Sequence, residues 1–159
     1  SSTHYGPHHG AQANLMQGVG FPEIAGSASY PEAGSNTHAA LGCTGCHMED
    51  YADGMGGHTF NPSIASCTEC HSGAEDFDVN GGQEEIADLL EELRNLLVAA
   101  EVIEWVEEDE AYEPVVGVHG LEESKAFFNW IGIEEDRSHG VHNPTYIKAL
   151  LENSIAAVQ

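Results

Sequence analysis

Positive charge is the scarcest commodity in this sequence. Its 159 residues hold only four Lys and Arg (Arg94, Lys125, Arg137 and Lys148) against 27 Asp and Glu, a formal net charge of −23 with histidine neutral. Such a chain has no basic footprint with which to displace counterions from a nucleic-acid backbone, which excludes nucleic acid as a partner. An anionic membrane surface would repel it for the same reason. Long apolar runs are missing as well, so no segment approaches the ~20 residues that span a bilayer as a helix. Apolar residues make up 41% of the chain, slightly thin for a packed interior, so the core is expected to draw on something that is not a side chain. Cysteine and methionine are few, at four and three. Histidine is not: there are ten.

All four cysteines fall in two short units, Cys43-Thr-Gly-Cys46-His47 and Cys67-Thr-Glu-Cys70-His71. Each is C-x-x-C-H, the pattern of covalent c-type haem attachment. Two thiols three positions apart can each form a thioether with one vinyl group of a single porphyrin. The following histidine then lies under the iron as proximal ligand. The two C-x-x-C pairs alone would also suit a four-thiolate zinc ribbon or redox dithiols. Neither needs a histidine after each pair, and with ten histidines among 159 residues that coincidence arises by chance about 0.4% of the time. The units therefore predict two haem c groups, with Cys43, Cys46, Cys67 and Cys70 as thioether positions and His47 and His71 on the irons. Two haems would supply the apolar surface that the side chains lack.

The length suits one domain, residues 1–159. Residues 1–80 carry frequent Gly and Pro turn signals and weak periodicity, which predicts a loop-rich haem-binding segment. Residues 81–159 are helical in pattern and are expected to supply a distal ligand. A long helix is predicted from Gln83 to about Tyr112, because Ile86, Leu89, Leu90, Leu93, Leu96, Leu97, Ala100 and Ile103 form one stripe. A second is predicted over Leu121 to Ile133. A third should begin with Asn143 as N-cap and Pro144 in the first turn, with Ile147, Leu150, Leu151, Ser154, Ile155 and Val158 on one face. The expected fold is mainly α with extensive irregular loops, a small haem-organised cytochrome fold with two or three helices after the loop-rich half.

Bis-histidine ligation is favoured over methionine, since Met48 directly follows a proximal histidine and is poorly placed to cross the haem. His142, just before a capped helix, is held in a fixed place, whereas Gly140 separates His139 from that helix. The run Asp76-Phe-Asp78-Val-Asn80-Gly81 matches the first half of a calcium loop, but the closing position 87 is Ala. Calcium at Asp76, Asp78 and Asn80 is one reading, and capping of the next helix by Asp78 or Asn80 is the other.

Several pieces, in this order, resemble multihaem c-type cytochromes: His38-Ala-Ala-Leu-Gly-Cys43-Thr-Gly-Cys46-His47-Met48, Gly57-His58-Thr59-Phe60, the second haem-binding unit, and Ser138-His139-Gly140-Val141-His142-Asn143-Pro144. The likeness covers most of the chain from His38 onward and is to the C-terminal haem pair of the pentahaem nitrite reductase lineage. It implies that His38 serves the iron of the second haem and His142 that of the first. In that lineage the histidine between the units, here His58, serves an upstream haem. These residues include no upstream unit, so His58 is left either as an alternative distal ligand, for the second haem or a neighbouring subunit, or as a solvated loop residue. The lineage's lysine-ligated C-x-x-C-K unit is absent, so nitrite reduction is not implied. Tyr5-Gly-Pro-His8-His9-Gly10 resembles segments that donate a distal ligand; a vestigial or tag-like histidine cluster is the other reading. As a ligand, His9 would act in trans, linking copies into a filament of the kind some multihaem cytochromes form.

The expected function is electron transfer with basic or cation-bridged redox partner proteins. A haem enzyme with one open iron position and a zinc-ribbon-like module are the alternatives. Thioether haem attachment, with a chain that starts at Ser1 without an apolar leader, implies an extracytoplasmic location: periplasmic, cell-surface or extracellular.

Overall fold

The computed structural model describes residues 5–7, 10–50 and 54–159. The chain is mainly helical. Helices α1 (Ala11–Gln17), α2 (Thr37–His47) and α3 (Ile64–Thr68) precede α4 (Gly82–Ala99), and a hairpin of β1 (Ile103–Val106) and β2 (Ala111–Pro114) leads to α5 (Leu121–Asp136) and α6 (Pro144–Val158). Short 3-10 turns occupy Gly57–Thr59 and Val79–Gly81. Among the described residues, none of the helices is long and apolar enough to cross a membrane.

The three C-terminal helices build a conventional core. On α4, Ile86, Leu90, Leu93 and Leu97 are buried, with Leu89, Leu96 and Ala100 packed beside them. This is the stripe the sequence predicts, and it faces inward. Helix α6 packs on both α4 and α5, and α1 leans on α5. Leu15, Phe21 and Ile24 carry the N-terminal ribbon into the same cluster.

Buried asparagines fasten that ribbon. Asn153 exchanges two hydrogen bonds with the backbone of Ala28, at 3.1 and 2.9 Å. The amide of Asn129 donates to the Pro22 carbonyl, and that of Asn143 to Leu15. Each asparagine is at most 2% exposed, so these bonds fix a register that apolar packing alone would leave free to slide.

The loop-rich N-terminal half also holds α1, α2 and α3; α2 carries Cys43 and Cys46, and α3 carries Cys67. One sequence expectation needs correction: the long helix does not reach Tyr112. It ends at Ala99, where Glu101 adopts a left-handed conformation (φ 57°). The Val102 amide donates to Leu97 and that of Glu101 to Val98, the double bond of a Schellman terminus. That position usually holds glycine, and glutamate gave no stop signal. Ile103 then begins a strand, pairing with Pro114, while Trp105 faces Tyr112. Tyr112 sits edge-on to Trp130 at 6.3 Å, which docks the hairpin on α5. The other two helices match expectation, α5 running three residues beyond Ile133. Asn143 accepts from the Tyr146 amide as N-cap of α6.

The termination of α4 can be tested directly. Glu101→Gly relieves the left-handed strain on a residue with a Cβ, and should stabilise the protein by about 1 kcal/mol. The thermal midpoint should rise by roughly 2–4 °C.

A second test concerns alkaline pH. Burial, reinforced by Glu23, pushes the Tyr146 phenol up to about 12. In the unfolded chain it ionises near pH ~10. Between those values the unfolded state has fewer protons bound, so stability present below pH ~10 is lost as pH rises toward 12. Denaturant curves at pH 8 and 11.5 should show a larger loss for the wild type than for Tyr146→Phe.

Candidate haem-binding cleft

Between Ile24 and Ile86, the buried residues among those described are Gly56 and Ser63 alone. Helices α2 and α3 bury no side chain of the core. Leu41, Phe60 and Phe77 are 47, 54 and 36% exposed. This stretch nonetheless holds a defined path around a cleft of about 500 Å3, within the range of ~300–1,000 Å3 common for ligand sites. The wall carries Cys46, Cys67 and Cys70, four histidines of the sequence analysis (His38, His47, His71 and His142), His139, and apolar side chains including Leu41, Phe77 and Val79. Cys43 is exposed on the same helix as Cys46, outside the lining.

Local structure explains how each ligand candidate is aimed. Asn36 caps α2, its side chain accepting from the His38 amide at 3.3 Å. Within α2, Gly42 breaks the helix at φ 66°, ψ −179°, a region essentially open to glycine alone. The break sends His38, one turn before it, and His47, one turn after it, toward different partners. Ser63 caps α3, accepting from the Ala65 amide. The second unit continues as a turn, with the Cys70 and His71 amides both donating to the Cys67 carbonyl. Burial pushes the Cys46 thiol up from its ordinary range, and the neighbouring Cys67 adds to the effect, so the two units meet at the cleft.

The histidines form two pairs. The rings of His47 and His142 are centred 6.3 Å apart, and those of His38 and His71 also 6.3 Å apart. Two imidazoles sharing one metal each place a nitrogen about 2 Å from it, and atoms of a five-membered ring with sides of about 1.33 Å lie about 1.1 Å from its centre. The ring centres should then stand roughly 6 Å apart. Aromatic neighbours in general fall at ~4.5–7 Å, so distance alone decides little. Each pair, however, joins a histidine of a C-x-x-C-H unit to one from elsewhere in the chain.

The hydrogen bonds add an independent point. Nδ1 of His38 lies 2.6 Å from the Val141 carbonyl, Nδ1 of His47 2.9 Å from that of Phe60, and Nδ1 of His142 2.7 Å from Oδ1 of Asp136. These oxygens accept, so each Nδ1 is the donor and Nε2 is the nitrogen turned to any other partner. That arrangement, locked by an outer partner, is the one a metal-binding histidine takes. His119 is held the opposite way, with Nε2 against the Val115 carbonyl. The ring of Phe60 also stacks on His47 at 4.5 Å.

One asparagine joins both pairs. The Asn36 amide donates to the carbonyls of Met16 and His142 while its oxygen holds the start of α2. Gly140, buried with φ 93°, lets the His139–His142 loop press on α4, since a Cβ there would lie 2.7 Å from Ile86 Cγ1.

No family model matches this chain, and no similar curated protein or solved structure was found. The site rests on its own geometry.

Other candidates fall elsewhere. His58 is exposed in the turn Gly57–Thr59 and does not line the cleft. His9 lies outside the described residues. Asp78 accepts from the amides of Gln83 and Glu84 and Asp76 from that of Asp78, so these carboxylates cap a helix and a turn. Among the described residues, His, Cys, Asp and Glu gather nowhere in threes around a metal-sized point, which includes the four thiols of a would-be zinc ribbon. Sequence reasoning missed Asn36, Phe60 and Asp136. Asn36 was legible as a cap in Ser35-Asn36-Thr37, but no spacing rule links Asp136 to a histidine six residues on.

The break at Gly42 gives the cleft a backbone test. A Cβ there meets nothing within 4 Å, so the cost of Gly42→Ala is conformational, about 1–3 kcal/mol of stability. Gly82, also with open space and φ −69°, is the control: Gly82→Ala should be neutral or stabilise by up to ~1 kcal/mol. Denaturant unfolding of both variants measures the contrast.

Proposed function

We propose that this chain is an electron-transfer protein that holds two c-type haems in one cleft, the first between His47 and His142 and the second between His71 and His38. The observation that carries the reading is that each C-x-x-C-H histidine is paired with a second imidazole from elsewhere in the chain, at a spacing compatible with a shared iron and with Nδ1 engaged where the outer partner is known. The haem-organised character of the fold belongs to the same proposal, because the segment around the cleft has almost no buried apolar side chains of its own.

When bound, the haems supply one-electron chemistry at iron. The chain does the rest. Cys43 and Cys46 on one helix, and Cys67 and Cys70 on the next turn-rich segment, would each tether one of the groups. His47 with His142, and His71 with His38, would hold the two irons, and with two imidazoles for each iron no place would be left for a substrate, which separates this reading from a haem enzyme. Leu41, Phe77 and Val79 line the cleft and would keep water from the porphyrin faces. Because both histidine pairs line a single cleft, the two groups they would hold could exchange electrons with each other.

The proposed redox partners are basic or cation-bridged proteins, since a surface this acidic attracts positive charge and repels its own copies unless salt screens it. Thioether attachment places the working protein outside the cytoplasm.

A pyridine haemochrome assay on chain made in a host competent for c-type maturation should give two haems per chain. Spectra should be low-spin in both oxidation states and unchanged by carbon monoxide. His38→Ala and His142→Ala should each convert one of the two haems to high-spin, whereas His58→Ala should leave both low-spin. A haem count other than two, or carbon monoxide binding by the wild type, contradicts the proposal.

A further inference from the structure

We propose that Asp136 holds down the reduction potential of the His47/His142 iron, acting through the His142 ring. This inference rests on the haem reading above and adds to it a residue that no motif marks.

Three imidazoles of the cleft have a known partner at Nδ1, and they are not alike. His38 and His47 donate to neutral backbone carbonyls, those of Val141 and Phe60. His142 donates to a carboxylate, Oδ1 of Asp136, at 2.7 Å. The Asp136 side chain is 0% exposed and that of His142 15%, so little water screens the charge. A carboxylate on the far nitrogen makes the ring a stronger donor at Nε2, and stronger axial donation favours the oxidised, more positive iron. Hydrogen bonding around ligands is among the recognised controls on haem potential.

Ser138 works in the opposite direction. Its hydroxyl donates to Oδ2 of Asp136 and accepts from the His142 amide at 3.3 Å. By donating to the carboxylate it draws off part of the charge that would otherwise reach the ring. Gln83 in turn donates to the Ser138 carbonyl at 2.9 Å, which ties the small network to α4. Asp136 is a positioning residue: it touches the ligand, not the iron. A purely structural ion pair would loosen His142 when either side chain is cut back. A tuning network predicts shifts of opposite sign.

The experiment is a potentiometric titration of the haem-loaded wild type, Asp136→Asn and Ser138→Ala, followed by optical spectra that also report spin state. In Asp136→Asn one of the two midpoints should rise by at least tenfold in the reduction equilibrium, about 59 mV for a one-electron couple, while the other stays put. In Ser138→Ala the same midpoint should fall. Midpoints unmoved in both variants, or shifted in the same direction in both, overturn the inference while two low-spin haems keep the functional reading intact. A wild type that carries other than two haems overturns that reading and the inference with it. If Asp136→Asn loses its low-spin spectrum, Ser138→Ala decides alone: a fall supports the inference and no change overturns it.

Discussion

Among the described residues, no hydrophobic side chain between Ile24 and Ile86 is fully buried, and most of the cleft wall comes from this span. Directed polar contacts hold much of it in place. Asn36 grips the carbonyls of Met16 and His142, Val141 grips the His38 ring, and Asp136 grips that of His142. A segment with exposed Leu41, Phe60 and Phe77 and no core has to cover that apolar surface with something. Two porphyrins anchored by thioethers would do so, which makes the weakness of the segment and its function two sides of one arrangement.

The contrast with the helical half is instructive. There α4, α5 and α6 bury Leu93, Ile133 and Leu150 completely, and buried asparagines lock the N-terminal ribbon onto them. That half is a rigid frame, and it presents the His139–His142 loop to the cleft from a fixed position. The thin apolar composition is therefore not spread evenly. Apolar side chains are buried over the frame and left exposed around the cleft. The few cations serve the frame too: Arg94 pairs with Glu91, Lys125 with Glu122, and Lys148 bridges from α6 to Glu85 on α4. These exposed pairs contribute little individually, and most of the acidic surface is left to solvent and salt.

Residues that line the cleft stood out in the sequence through their spacing: cysteines three apart with a histidine next, and Asn143-Pro144 opening a helix just past His142. The pairing of His38 with the second unit and His142 with the first came from a resemblance, and the structure brings those same rings together. Other features were hidden for physical reasons. The strand at Ile103 extended a helical stripe by chance, and Glu101 took a left-handed turn that normally announces itself with glycine. Helix α1 spans only seven residues, too short for a periodic signal to stand out. Asp136 reaches His142 across a loop whose path depends on Arg137 and His139 at positive φ and on Gly140 pressed against Ile86. A contact of that kind exists only in three dimensions.

The central claim is that two irons are shared by two particular pairs of imidazoles. The most direct measurement is an experimental density map of the haem-loaded protein at a resolution that resolves axial ligands. The account predicts continuous density from one iron to His47 and His142 and from the other to His71 and His38. Density from either iron to His58, to a methionine, or to a histidine of another copy in place of these would contradict it.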